Sequence, residues 1–346
     1  MSYISFQPKD YFNTKLWTGT GSSNAITGVG FQPDWVWIKN RSATESHRIH
    51  DAVRGTNKSI SSDTNSSQTT TTQDVMSFDS DGFTLGTETA VNANGQNIVG
   101  WNWKANGQGS SNTDGTINST YTSANTTSGF SIVTYTSGGG SGTVGHGMNS
   151  IPKVMFYKPL STSGGWDVYH HSLGISNRLN LHNNSASSSG YFQTLPTSSV
   201  FTEPNLYSGE SVIMYCFAEK KGFSKFGSYT GNGSATDGTF VYTGFVPAFV
   251  ICKVTSTTDN WMMFTNKIGS STDSTSGFNI HSRILEANGS GAEQSVGSGQ
   301  GIDFVSNGFK IREDNGNLNG SGATYIYLAF AEEPLVSSNS VPAVAR

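Results

Sequence analysis

The stretch GFQPDWVWIKNR, residues 30–41, alternates sides as a strand does, with Trp35 and Trp37 on one face and Val36 and Ile38 on the other. Large apolar groups on both faces leave it no side for water. The arrangement returns twice: Val154 and Phe156 oppose Met155 and Tyr157, and Phe249 and Ile251 oppose Val250 and Cys252. One face of each strand fills a sandwich core. An antiparallel sheet ordinarily keeps its other face polar, so the second row must lie beneath a long loop, a neighbouring unit or another copy of the chain. Trp35, Trp37, Phe156, Tyr157, Phe249 and Ile251 are therefore the candidate packing and interface residues.

These strands belong to an internal repeat. QPDWVWIK, IPKVMFYK and VPAFVICK each place Lys six residues after Pro: Pro33 and Lys39, Pro152 and Lys158, Pro247 and Lys253. Downstream, HRIHDAVRG, WDVYHHSLG and WMMFTNKIG end in Gly55, Gly174 and Gly269. Further on, IVGWNWKA, VIMYCFAE and YIYLAFAE align Trp103 with Phe217 and Phe330, and Trp101 with Tyr215 and Leu328. SDGFTL (80–85) matches SNGFKI (306–311), and RLNLHNN (178–184) resembles RILEANG (283–289).

Within each copy, apolar runs of strand length alternate with Gly, Asn and Ser clusters, and few stretches carry a helical period. The pattern predicts an all-β chain of three tandem antiparallel β-sandwiches, jelly-roll-like, at 1–106, 119–222 and 226–336. Residues 107–118 read as a flexible linker and 337–346 as a loose tail. Between the second and third units, KKGFSKFGS carries Phe223 and Phe226 and predicts a packed junction.

Composition agrees: 13% charged residues with 41 Gly favours strands and turns, while 20 Phe, 13 Tyr and 7 Trp argue against disorder. The formal charge of −4, with no basic block, gives a nucleic-acid groove no electrostatic basis. Lys9 and Asp10 interrupt the place where a signal peptide would be apolar, and no run reaches membrane-spanning length, so neither export nor membrane insertion is expected. Cys216 and Cys252 lie in apolar strands and read as small buried hydrophobes.

Candidate chemistry is sparse. GSGTVG (140–145) satisfies G-x-G-x-x-G but leads into another strand, so no helix N-terminus would hold a phosphate, and a hairpin loop is the reading. His47 and His50 flank two residues in the first unit, and His170 and His171, as strand neighbours in the second, should face opposite ways and share no metal. The positions aligned with His170 and His171 hold Asp51 and Ala52 in the first unit and Thr265 and Asn266 in the third, so the repeat does not demand histidine. EDNGNLNGSG (313–322) gathers oxygen donors but lacks the spacing of a calcium loop and reads as a turn between strands. Nothing selects a carboxylate pair. Lys39, Lys158 and Lys253 close their strands and read as the places where the chain meets water. No catalytic residue, cofactor or metal is assigned.

With these residues in view, YISFQPKDYFNTKLWTGTG, GFQPDWVWIKNRSATESHRIHDAVRG and SFDSDGFTLG resemble a repeated module of marine bacteriophage virion proteins, closely over 1–105 and more loosely through YTGNGSATDGTFVYTGFVPAFVICK and YIYLAFAEEP. The resemblance implies a β-sandwich structural protein of the particle, a tail fibre or tail-associated subunit for host attachment or a capsid decoration. Its partners would be other virion proteins and copies of itself, a trimer being favoured, with host surface glycan as a further ligand. Assembly would take place in the bacterial cytoplasm. The alternatives are a glycan-degrading tailspike enzyme, which needs a carboxylate pair in a groove, and a carbohydrate-binding module of a cellular protein.

Overall fold

The computed structural model describes residues 6–140, 142–269, 280–295 and 301–333. The segment 337–346, read as a loose tail, lies outside them. The chain is all-β, with antiparallel pairing throughout its named strands, and three large sheets share one strand order. In the first, an opening strand (Phe12–Thr18) pairs with the closing strand (Asn97–Trp103), which pairs with the central strand (Trp35–Asn40), flanked in turn by Arg48–Asp51. The second sheet repeats that order with Phe130–Thr136, Ser211–Phe217, Val154–Pro159 and Asp167–His170, and the third with Ser224–Thr230, Thr324–Phe330, Phe249–Val254 and Met262–Thr265. Registers also correspond, since Trp35, Val154 and Phe249 stand opposite Trp103, Phe217 and Phe330.

Each large sheet packs one face on a smaller sheet. Val36, Ile38 and Ile98 meet Ile26, Phe83 and Leu85; Met155, Tyr157 and Cys216 meet Val144 and Phe201; Val250 and Cys252 meet Val241, Ile302 and Phe309. Local chemistry closes these units at fixed points. Gly55, Gly174 and Gly269, which end the aligned nine-residue segments, have φ of 86°, 73° and 109°, a region that other residues enter at a steric cost. Gly82 and Gly308 allow a close strand approach: a Cβ there would stand 1.9 Å from Ile26 O and 2.0 Å from Val241 O.

The opposite faces of the three large sheets meet one another. Trp35, Trp37, Trp101 and Trp103, Phe156, Tyr215 and Phe217, and Phe249, Leu328 and Phe330 join a single buried cluster with Phe223 and Phe226. Of the three covers open to the second face of the central strands, the neighbouring sheets of the same chain supply it.

This core is layered by register. Trp103, Phe217 and Phe330 form its first layer with ring centroids 6.4, 5.5 and 5.8 Å apart. Trp101, Tyr215 and Leu328 come next, opposite Trp37, Phe156 and Ile251, and then Val99, Ile213 and Ile326, opposite Lys39, Lys158 and Lys253. The taper from aromatic to β-branched narrows the cluster toward the lysines.

The segment read as a flexible linker is tied down. Ile117 N–H donates to Thr143 O at 2.9 Å, Ser110 bridges to Thr122, and Ser111 Oγ donates to Ser119 O at 2.7 Å. Its Ser, Asn and Gly residues make side-chain and backbone bonds that fix it against the second sandwich.

Trp35 touches rings from two sheets, Trp103 at 4.5 Å and Tyr215 at 4.8 Å between centroids, and is 1% exposed. Trp35→Ala is predicted to cost about 3–5 kcal/mol in urea unfolding. An unchanged midpoint and slope would contradict its placement in the shared core.

Candidate functional site: the shared core and its polar rings

Five of the six candidate residues, Trp35, Trp37, Phe156, Phe249 and Ile251, converge on the shared core. Tyr157 does not. It points into the core of the second sandwich, stacked on Tyr207 at 6.2 Å, because the strand period of two sends it to the opposite face from Phe156.

Polar groups close this core as a ring. His47, Trp166 and Trp261 hold the same place in the aligned nine-residue segments. Trp166 Nε1 donates to Ser61 O at 2.8 Å, from the second sandwich to the first. Trp261 Nε1 donates to Asn180 O at 2.9 Å, from the third to the second. His47 Nε2 reaches Glu286 O at 3.0 Å, from the first to the third. The 2.8 Å bond that His47 Nδ1 accepts from Trp37 Nε1 leaves the proton on Nε2, so the imidazole donates as the two indoles do. Burial lowers the His47 pKa to about 4, which keeps this ring neutral.

A second ring links other aligned positions, each to its other neighbour. Tyr215 OH in the second sandwich donates to Asp51 in the first at 2.7 Å, and Arg54 holds the same carboxylate at 2.6 Å. His170 Nε2 donates to Tyr327 O at 3.3 Å and His171 Nε2 to Phe226 O at 3.0 Å, both joining the second sandwich to the third. Thr265 Oγ1 and Thr14 Oγ1 are 3.5 Å apart, and Glu332 accepts from Thr14 N–H at 3.3 Å, joining the third to the first. Asp51, His170 and Thr265 are again aligned positions. The expectation that His170 and His171 face opposite ways is corrected: the strand stops at His170 and a 3₁₀ turn, His171–Leu173, follows, so the rings stack at 5.1 Å.

The expectation that Lys39, Lys158 and Lys253 reach water is overturned, because all three are fully buried. Each is the third residue of the core-facing row of its strand, after Trp35 and Trp37 in the first. Each Nζ donates to the carbonyl of the next residue: Asn40 O at 2.8 Å, Pro159 O at 2.9 Å and Val254 O at 2.6 Å. Lys39 adds Ser290 O at 3.0 Å, from the third sandwich, and Lys158 adds Gly164 O at 3.0 Å. Burial pushes each pKa down to about 8. The sequence shows a charged residue closing a strand and carries no sign that neighbouring sheets extend past it.

The loop containing GSGTVG holds an anion of its own. Gly138 and Gly140 N–H groups each donate to the Glu203 carboxylate at 2.9 Å, and Ser137 Oγ adds a bond at 3.2 Å. The loop leads not into a hairpin partner but into Thr143–Gly145, which pairs with Val200–Thr202 in the smaller sheet. In the other sandwiches the corresponding loops are tethered by buried asparagines: Asn92 accepts from Thr20 N–H at 2.9 Å and Asn319 from Asn232 N–H at 3.0 Å. Asn319 lies in the 313–322 segment, which connects Gly308–Ile311 to Thr324–Phe330.

Among the described residues, no group of three or more His, Cys, Asp and Glu side chains is placed to hold a metal ion, and no helix is long and apolar enough to cross a membrane. The fold and its polar rings define an all-β sandwich protein. The chain belongs to the family described as Domain of unknown function (DUF7483), whose profile matches residues 7–334. No curated protein and no solved structure matches it.

The lysines give the stability a sign. A native pKa near 8 against an unfolded value of about 10.4 means that the unfolded chain holds more protons above pH 8, so stability rises with pH. Cys216 and Cys252, whose thiol pKa values burial raises, act oppositely once unfolded thiols ionise near about 8.5. Between about pH 8 and 9, below the range where unfolded tyrosines ionise against their buried, raised counterparts, three lysines against two cysteines predict a shallow rise, steeper in the Cys216→Ala/Cys252→Ala variant, in urea melts across that window. A falling curve in the cysteine-free variant would contradict buried, proton-releasing lysines.

Proposed function

We propose that the chain is a non-enzymatic structural protein of a bacteriophage particle, a tail-associated subunit for host attachment or a capsid surface protein, assembled in the bacterial cytoplasm. The observation that carries this reading is the closed ring of three sandwiches on one aromatic core. It is a stiff block that gains its rigidity within one chain and offers its outer surface to neighbours. The apolar faces that pointed to a trimer of chains are used up inside the block, so they make no demand on a second copy. The groups best suited to chemistry are committed to holding the block: Asp51 to Arg54 and Tyr215, Glu203 to backbone amides, and His47, His170 and His171 to carbonyls of adjoining sandwiches. The resemblance of residues 1–105 to a virion module supports the same reading.

Mass spectrometry of density-purified particles is predicted to find the chain at a fixed copy number per particle. Its absence from infectious particles would overturn the reading, and its recovery from uninfected cells instead would favour a cellular carbohydrate-binding module.

A glycan-cleaving tailspike is the second reading, and one carboxyl favours it. Asp167 is 2% exposed, burial lifts its pKa to about 6, and Arg178, stacked at 4.4 Å on Tyr191, pairs with it. A carboxyl whose pKa is raised toward neutrality is what a general acid requires. The structural proposal predicts no new reducing ends when the protein is incubated with host polysaccharide. Depolymerisation that Asp167→Asn abolishes would replace it with the enzymatic reading.

A further inference from the structure

We propose that Phe240 and Tyr242 form a platform for a neutral saccharide on the outer face of the third sandwich, an assignment that deepens the attachment reading above and rests on it. Both belong to the strand Phe240–Tyr242 at the edge of the smaller sheet, with Val241 between them turned into the core. Phe240 is 47% exposed and Tyr242 61%, although each is a large ring that burial would stabilise by about 1.5–3 kcal/mol.

The chain supplies its own control for whether the fold needs these rings. Val241 stands opposite Phe309, as Ile26 stands opposite Phe83 and Val144 opposite Phe201. The inward residue stays apolar in all three sandwiches. Where the third has Phe240, the first has Ala25 and the second Thr143; where it has Tyr242, they have Thr27 and Gly145. Small residues suffice twice, so packing within the sandwich does not account for two exposed aromatic rings.

The surroundings indicate the ligand. The place of a Cβ on Gly308 is 3.2 Å from Phe240 Cε2, so the ring lies over this glycine and close to the sheet, with its other side toward solvent. Phe240 is opposite Lys310, and Lys310 is opposite Asp303, which puts the three side chains on one face of the sheet. The charges there are paired: Lys310 with Asp237, and Arg312 with Asp303 at 2.5 Å. An acidic ligand would find these cations already engaged. Two rings alone are also far too little apolar area for a stable protein partner. A neutral pyranose fits both facts, because its C–H face meets the negative face of an aromatic ring while its hydroxyls reach the paired charges and the Tyr242 OH.

The test is affinity electrophoresis of the full chain in gels containing dextran, galactan, mannan or, as the acidic control, polygalacturonate, with light scattering alongside. At least one neutral polymer should retard the wild type. The double variant Phe240→Ala/Tyr242→Thr, carrying the residues of the first sandwich, should bind about tenfold more weakly or worse at an unchanged melting temperature. No retardation in any neutral gel, equal retardation of the variant, or retardation by polygalacturonate alone would overturn the proposal. So would a wild-type dimer that the double variant dissolves, since the rings would then cover a second copy. Absence of the chain from particles would fail the virion reading and leave retardation in the gel untouched, so the two failures are distinguishable.

Discussion

Three rings, Trp103, Phe217 and Phe330, meet where the closing strands of the three large sheets come together, and the rest of the molecule is organised by that contact. Each ring sits at the end of a strand whose other face already fills a sandwich. A sheet with apolar residues on both faces is stable only if both are covered. One sandwich in isolation could cover one. The three together cover the remainder, because each lends its inner face to the others.

That constraint explains the polar inventory. Once three sheets crowd onto one core, backbone carbonyls at their margins lose water and need donors, and unpaired buried groups are costly. The indoles of Trp166 and Trp261 and the imidazole of His47 supply donors at equivalent margins. The buried lysines do the same where the core narrows to Val99, Ile213 and Ile326. An ammonium bonded to carbonyls closes that end more specifically than another aliphatic residue would, at the cost of desolvating a charge. These polar groups are engaged in closing the core, and the proposed attachment role draws on the outer surface.

The all-β class and the two-faced central strands were legible in the sequence, since alternation with β-branched and aromatic residues has few other readings. The aligned residues of the closing strands could be listed, but periodicity reports that a face is buried and not what buries it. Lys39, Lys158 and Lys253 misled for a related reason, as the depth of a strand end depends on its neighbours. The match of RLNLHNN with RILEANG is off by one: Asp167 pairs with Asn180 and Met262 with Glu286, so Leu179 corresponds to Leu285. A shared arginine outweighed the alternation of leucines. The equivalence of His47 with two tryptophans was visible as an alignment, yet only the carbonyls facing them reveal a shared donor role. Glu203 is distant in sequence from the glycines it holds, and nothing in a single chain joins them.

Scanning calorimetry of the intact chain tests the shared core most directly. If the three sandwiches cover one another, none is stable alone, and unfolding should be a single transition whose calorimetric and van't Hoff enthalpies agree, with roughly 0.7 kcal/mol per residue near 60 °C. Separate transitions, each carrying about a third of that heat, would mean three independent domains and would contradict the account.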